Sequence, residues 1–87
     1  MKLLFCKECQ DCIKLVPQRE SRCMCGKSRG TVKPDGLNAI ISGDNCVVIG
    51  FSNPSLHNAI MNQPQKGMGK DFVAFVIPKE CPTVKHV

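Results

Sequence analysis

Residues 5–26 read FCKECQDCIKLVPQRESRCMCG, and they hold five of the seven cysteines in an 87-residue chain. Four of these, Cys6, Cys9, Cys23 and Cys25, form a C-x2-C pair, a thirteen-residue spacer and a C-x-C-G pair. Two cysteines two residues apart converge on one ion when the backbone between them turns tightly. The second pair needs a tighter turn still, and Gly26 accepts the positive φ that such a turn demands. The pattern predicts a tetrathiolate metal site. Zinc is the expected ion, since it prefers four soft ligands in a tetrahedron. Iron in the same four thiolates is the second choice.

Cys12 offers a rival register with Cys9. The residue after a knuckle's second cysteine takes a turn conformation, which Gln10 tolerates and β-branched Ile13 does not. Cys12 is therefore expected to begin a strand over residues 12–16. A disulfide framework competes with the metal, because seven cysteines in so short a chain is dense. An odd count leaves one unpaired, and residues 1–5 are too short for the apolar region of a secretory signal. An intracellular, cytoplasmic protein is expected, and there short-spaced pairs favour metal.

A chain of this length reads as a single domain, 1–87, with a modest core. A metal staple suits it, because the binding free energy of a structural site becomes folding free energy. The charge is uneven. Residues 1–33 carry eight Lys or Arg against three acids, while residues 34–87 carry four of each. Four thiolates around one Zn²⁺ would lower the first segment from +5 to about +3. That weakens the nucleic-acid reading of the basic excess. The longest apolar run, residues 72–77, is far short of the ~20 residues of a membrane span, so no membrane is expected.

The segment 1–33 is expected to form strands at 1–5, 12–16 and 28–33, with an exposed turn at 18–22 and a further turn at Pro34-Asp35-Gly36. The rest, 34–87, reads as a β-hairpin from the runs 37–41 and 46–51, then a helix. Ser52-Asn53-Pro54 starts that helix with a capping side chain, and Leu56, Ala59 and Ile60 form one apolar stripe. The helix stops by Gln63-Pro64. Residues 63–71 read as a loop. Residues 72–77 are apolar throughout, as in a strand covered on both faces, and 83–87 reads as a tail. The predicted fold class is a small metal-bound, mostly-β (α+β) domain: a knuckled ribbon joined to an antiparallel sheet with one short helix.

Lys66-Gly67-Met68-Gly69-Lys70 fails the phosphate-loop pattern. Its spacing is wrong, Asp71 replaces the Ser or Thr, and a strand follows instead of a helix. His57 is expected at the surface, and His86 near Cys81 makes a poor second metal site. Cys46 and Cys81 are expected as buried thiols. Phe5, Phe51, Phe72 and Phe75 are expected in the core, and the chain has no Trp or Tyr, so base stacking is not expected.

The C-x2-C, spacer, C-x-C-G outline resembles zinc-ribbon domains over residues 3–33. The C-x-C second pair and the extra Cys12 set it apart within that family. The resemblance implies a docking module of the kind used in transcription, translation and other macromolecular assemblies. Four thiolates close the site, and a catalytic zinc keeps one position open. The expected function is thus a non-enzymatic zinc-binding interaction module, with a protein partner favoured. Lys14, Arg19, Arg22, Lys27, Arg29, Lys33, Lys66 and Lys70 are the candidate contact residues. The alternatives are contact with a nucleic-acid backbone through the basic face, a thiol-redox or metal-transfer role, and a small inhibitor of a partner enzyme.

Overall fold

The structure, a computed structural model, describes residues 2–87; Met1, the start of the expected first strand, lies outside them. Eight strands and one helix follow in order: β1 (Lys2–Cys6), β2 (Cys12–Lys14), β3 (Ser21–Arg22), β4 (Arg29–Val32), β5 (Ala39–Ser42), β6 (Cys46–Phe51), α1 (Asn53–Met61), β7 (Ala74–Val76) and β8 (Val84–His86). They form two four-stranded sheets, ordered β2-β1-β6-β7 and β3-β4-β5-β8. Residues 2–33 supply strands to both, so the ribbon segment is woven into the rest.

The core lies between the sheets. Leu4 and Val48 from the first sheet meet Val32, Ala39 and Ile41 from the second, and Leu15 joins them. In β4, β5 and the inner part of β6, buried and less buried residues alternate, as a strand with one covered face requires. Gly30 makes room for this packing. A Cβ there would stand 3.3 Å from Leu15 Cδ2 and 3.0 Å from both Ile41 Cγ2 and Ile40 O.

The runs at 37–41 and 46–51 do form strands, but they do not form a hairpin. β5 pairs with β4 and β8, while β6 pairs with β1 and β7. Residues 43–45 carry the chain from one layer to the other. A hairpin would put the buried Ala39 and Ile41 on the same sheet face as Val48; the crossover sets them face to face across the core. Gly43, at φ 132°, makes the bend.

Further expectations need correction. Residues 72–77 are not a covered strand. β7 is the outermost strand of its sheet, and Phe72, Val73, Phe75 and Val76 are all exposed. Hence Phe72 and Phe75 are not core residues. Phe72 meets Phe51 edge to face at 5.3 Å, and Phe75 lies over Gly50 opposite it in the ladder. Residues 83–87 are not a loose tail. β8 pairs parallel with β5, because Val84 can pack against the core from that position. The helix begins after Ser52, but the Ser52 side chain makes no capping bond. Its Leu56–Ala59–Ile60 stripe is no better covered than the boundary, with Ile60 60% exposed. The turn at residues 18–22 is shorter than expected, because Ser21 and Arg22 pair with β4.

Candidate metal centre

Each cysteine pair sits on a knuckle between two strands. The first knuckle joins β1 to β2. Gln10 N–H donates to Cys6 O at 2.8 Å, and Cys6 N–H donates to Asp11 O at 2.9 Å. Closing this turn requires positive φ at Gln10, which at 61° is the sole non-glycine case among the described residues. Cys12 then begins β2 and is exposed. The second knuckle joins β3 to β4. Gly26 N–H donates to Cys23 O and Cys23 N–H to Ser28 O, both at 3.0 Å, with Gly26 at φ 78°.

The two knuckles belong to different sheets, and they meet at one end of the sandwich. Met24 N–H donates to Asp11 Oδ2 at 2.9 Å, and Lys27 Nζ lies 3.4 Å from Glu8 Oε2. The sulfurs of Cys6, Cys9, Cys23 and Cys25 consequently lie within 4.8 Å of one another. Cys23 Sγ is 3.4 Å and Cys6 Sγ is 3.7 Å from Cys25 Sγ. A tetrahedron with metal–sulfur bonds of ~2.3 Å has edges of roughly 3.8 Å. All seven thiols are free, and a disulfide would need sulfurs at ~2.05 Å. The spacing therefore fits a shared cation. Cys6 and Cys23 are buried, Cys9 is half-buried and Cys25 is exposed, so four soft donors at one end of the core can hold a metal ion.

Electrostatics point the same way. The Cys9 amide, followed by the Ser28 hydroxyl, holds the Cys6 thiol below its ordinary range. Burial opposes ionisation of Cys23, but the Ser28 amide and the adjoining thiols outweigh it and bring it to about 6. At Cys25 the Lys27 amide favours the thiolate. The sulfurs of Cys23, Cys9 and Cys6 overcome it, together with burial, and push Cys25 up to about 12. Four sulfurs this close cannot all ionise without positive charge among them.

Supporting residues surround the ligands. Ser28, 1% exposed, donates its N–H to Cys23 Sγ at 3.4 Å. Such outer contacts fix ligand orientation. Neither Ser28 nor Asp11 was legible as part of the site, because each acts through position alone. The remaining cysteines stand apart from the cluster. Cys46 and Cys81 are half-buried, not buried as expected: Cys46 lies opposite Cys6 in the ladder, and Cys81 contacts Thr83 Oγ1 at 3.3 Å. Burial raises the Cys46 thiol, and the Thr83 hydroxyl and amide lower that of Cys81. His86 Nε2 is 2.9 Å from Gly43 O, and His57 is exposed on α1.

The eight candidate contact residues are all exposed but do not form one patch. Lys14, Arg19 and Arg22 line a shallow concavity of about 460 Å³ beside β2 and β3. Lys66 and Lys70 line another, of about 550 Å³, between α1 and the following loop. Arg22 is bound to Glu20 at 3.3 Å and Lys27 to Glu8. Among the described residues, no helix is long and apolar enough to cross a membrane. No protein-family model matches the chain, nor does any curated protein or solved structure.

Proposed function

We propose that this chain is a non-enzymatic, zinc-stapled interaction module that docks on a protein partner. The observation that carries the reading is the convergence of four cysteine sulfurs from two sheets within 4.8 Å. Zinc suits this donor set: four thiolates complete its tetrahedron and leave no position for a reactive water. The ion's work is then structural, holding the two layers together at one end. A protein partner is favoured by the exposed apolar side chains of the chain's second half, Ile60, Met61, Met68 and Phe75 among them. A cytoplasmic location accords with reduced thiols.

The second reading, contact with a nucleic-acid backbone, draws on the exposed basic residues of β2 to β4. It is weaker because Arg22 and Lys27 already face carboxylates. The exposed Phe75 also lies at the opposite edge of the sheet from Lys14, which separates a stacking ring from that cation. Metal analysis with native mass spectrometry tests the main reading; one zinc per chain is expected, and a folded, metal-free chain overturns it. A salt titration against DNA and RNA decides the second: backbone contact requires affinity that falls steeply with salt.

A further inference from the structure

Cys46 stands opposite a candidate metal ligand on the neighbouring strand. The last rung of the β1–β6 ladder pairs Cys6 with Cys46. Backbone bonds around it fix what kind of rung it is. Lys7 N–H donates to Asn45 O at 2.8 Å, while Cys6 N–H turns the other way, to Asp11 O on the β2 side, at 2.9 Å. Hydrogen-bonded and non-hydrogen-bonded pairs alternate along an antiparallel ladder, so Cys6 and Cys46 form a non-hydrogen-bonded pair. Such pairs bring their Cα atoms to about 4.5 Å and their side chains closest together. A disulfide spans Cα separations of about 4.4–6.8 Å, so this rung can be bridged with the strands where they are. Both side chains lie on the inner face: Cys6 is fully buried and Cys46 packs against the core.

The other two cysteines outside the cluster are placed differently. Cys12 stands opposite Phe5, and Cys81 bridges to Val84. Within the cluster, Cys25 Sγ lies 3.7 Å from Cys6 Sγ, but it is a donor that the tetrahedron itself employs. Cys46 is the thiol beside a ligand that the tetrahedron does not need. It is also reachable, since it lines a cleft of about 470 Å³ between the layers, with Val48, Ile77 and Val84. Its thiol donates to Gly43 O at 3.5 Å, a weak bond that gives way as the sulfur turns toward Cys6.

We propose that Cys6 and Cys46 are a peroxide-oxidisable pair, whose disulfide withdraws one donor from the metal centre and loosens its cation. The proposal rests on the zinc reading above. One sulfur attacks hydrogen peroxide, breaks the O–O bond and becomes a sulfenic acid as hydroxide leaves. The second sulfur displaces hydroxide from it, and the S–S bond forms. The pair gives up two electrons and the Cys46 proton. The peroxide, reduced by those two electrons, ends as one water and one hydroxide. Cys9, Cys23 and Cys25 remain as three donors, one short of a closed tetrahedron. Reduction by a dithiol returns both thiols and with them the fourth donor.

The zinc-loaded chain treated with hydrogen peroxide tests this, with zinc release read by a chromophoric chelator and cysteine connectivity by mass spectrometry of peptides. The parent is expected to release zinc as a Cys6–Cys46 disulfide accumulates, and to take zinc back after dithiothreitol. Cys46→Ser and Cys46→Ala leave all four candidate ligands in place, so zinc content and circular dichroism before oxidation should match the parent. Both should release zinc at least about tenfold more slowly, because the partner held at the rung is gone. Cys12→Ser and Cys81→Ser should release it at the parental rate. Parental release from either Cys46 variant overturns the proposal. So does a disulfide joining Cys6 to Cys9 or Cys25, or zinc retained with no disulfide at all. A reduced chain that binds no zinc sinks the zinc reading and this proposal together; failure of the loaded chain sinks this proposal alone.

Discussion

Gly43 approaches Lys27 so closely that a Cβ on the glycine would stand 2.7 Å from the Lys27 carbonyl oxygen. The bend between the two layers thereby rests against the second cysteine knuckle. The backbone oxygen cannot give way cheaply, and φ of 132° is itself a conformation that side chains resist. Gly43→Ala is expected to destabilise the holo protein by about 2 kcal/mol or more in urea unfolding. Gly50→Ala makes a useful contrast. Its Cβ would meet the Phe75 ring at 2.6 Å, but that ring is half exposed and free to swing away. Its cost should stay below about 1 kcal/mol.

Loss of a ligand should be far graver than loss of a neighbouring thiol. Replacing an outer-shell partner usually costs 10–100-fold in metal affinity. Cys23→Ser or Cys25→Ser should therefore cost more than about 100-fold, and Cys12→Ser almost nothing, as read by competition with a chromophoric chelator. Ser28→Ala keeps the amide bond to Cys23 and should fall within the outer-shell range. Equal losses at Cys12 and Cys23 would show the ligand register to be wrong.

Thiol labelling should divide the seven cysteines into two groups. In the metal-loaded protein, alkylation is expected to reach exposed Cys12 first, then half-buried Cys81 and Cys46. Cys46 should be slowest, since burial raises its pKa while Thr83 lowers that of Cys81. The other four should react only after a chelator is added. Mass spectrometry of the labelled protein counts the modified sites directly.

Asp35 offers a test by pH. The Asn38 and Leu37 amides and the Asn38 side chain hold its carboxyl down to about 2. A folded-state pKa below the unfolded value of about 3.9 stabilises the fold above pH 4. That stabilisation fades as pH falls from about 4 to about 2. Asp35→Asn should thus lower Tm modestly, by the same amount throughout pH 5–8, where the carboxylate is ionised in both states. A gap that changes across that window would assign the effect to another group.

Leu4 is fully buried between the layers. Leu4→Ala should cost about 2–5 kcal/mol, the usual range for such a truncation. A smaller loss in chemical denaturation would mean that the layers close over the vacated space.

The convergence of Cys6, Cys9, Cys23 and Cys25 was legible because knuckle chemistry is local. The spacing of Cys6 and Cys9, with a tolerant Gln10 next, contains the whole turn, and Gln10 takes the expected turn conformation, at φ 61°. The turn at Asp35-Gly36 was readable for the same reason, Gly36 standing at φ 70°. What failed was long-range pairing. Ala39–Ser42 and Cys46–Phe51 have strand composition and a hairpin-length connection. Which strands flank them depends on β1 and β8, distant in sequence. Residues 72–77 misled because a run that is apolar on both faces normally implies cover on both. Here sheet position overrode composition, leaving Phe75 and Val76 at an edge. Val84 was missed because a three-residue strand in a parallel pair has almost no periodicity to read.

The order in which the ribosome delivers this chain follows the placement of its knuckles. All four sulfurs precede residue 26, whereas the inner strands β5 and β6 begin at Ala39 and Cys46. A nascent chain thus presents the complete donor set before either layer has both of its inner strands. An ion captured then would fix the relative placement of β1 and β4, leaving two half-built edges as templates for whatever emerges next.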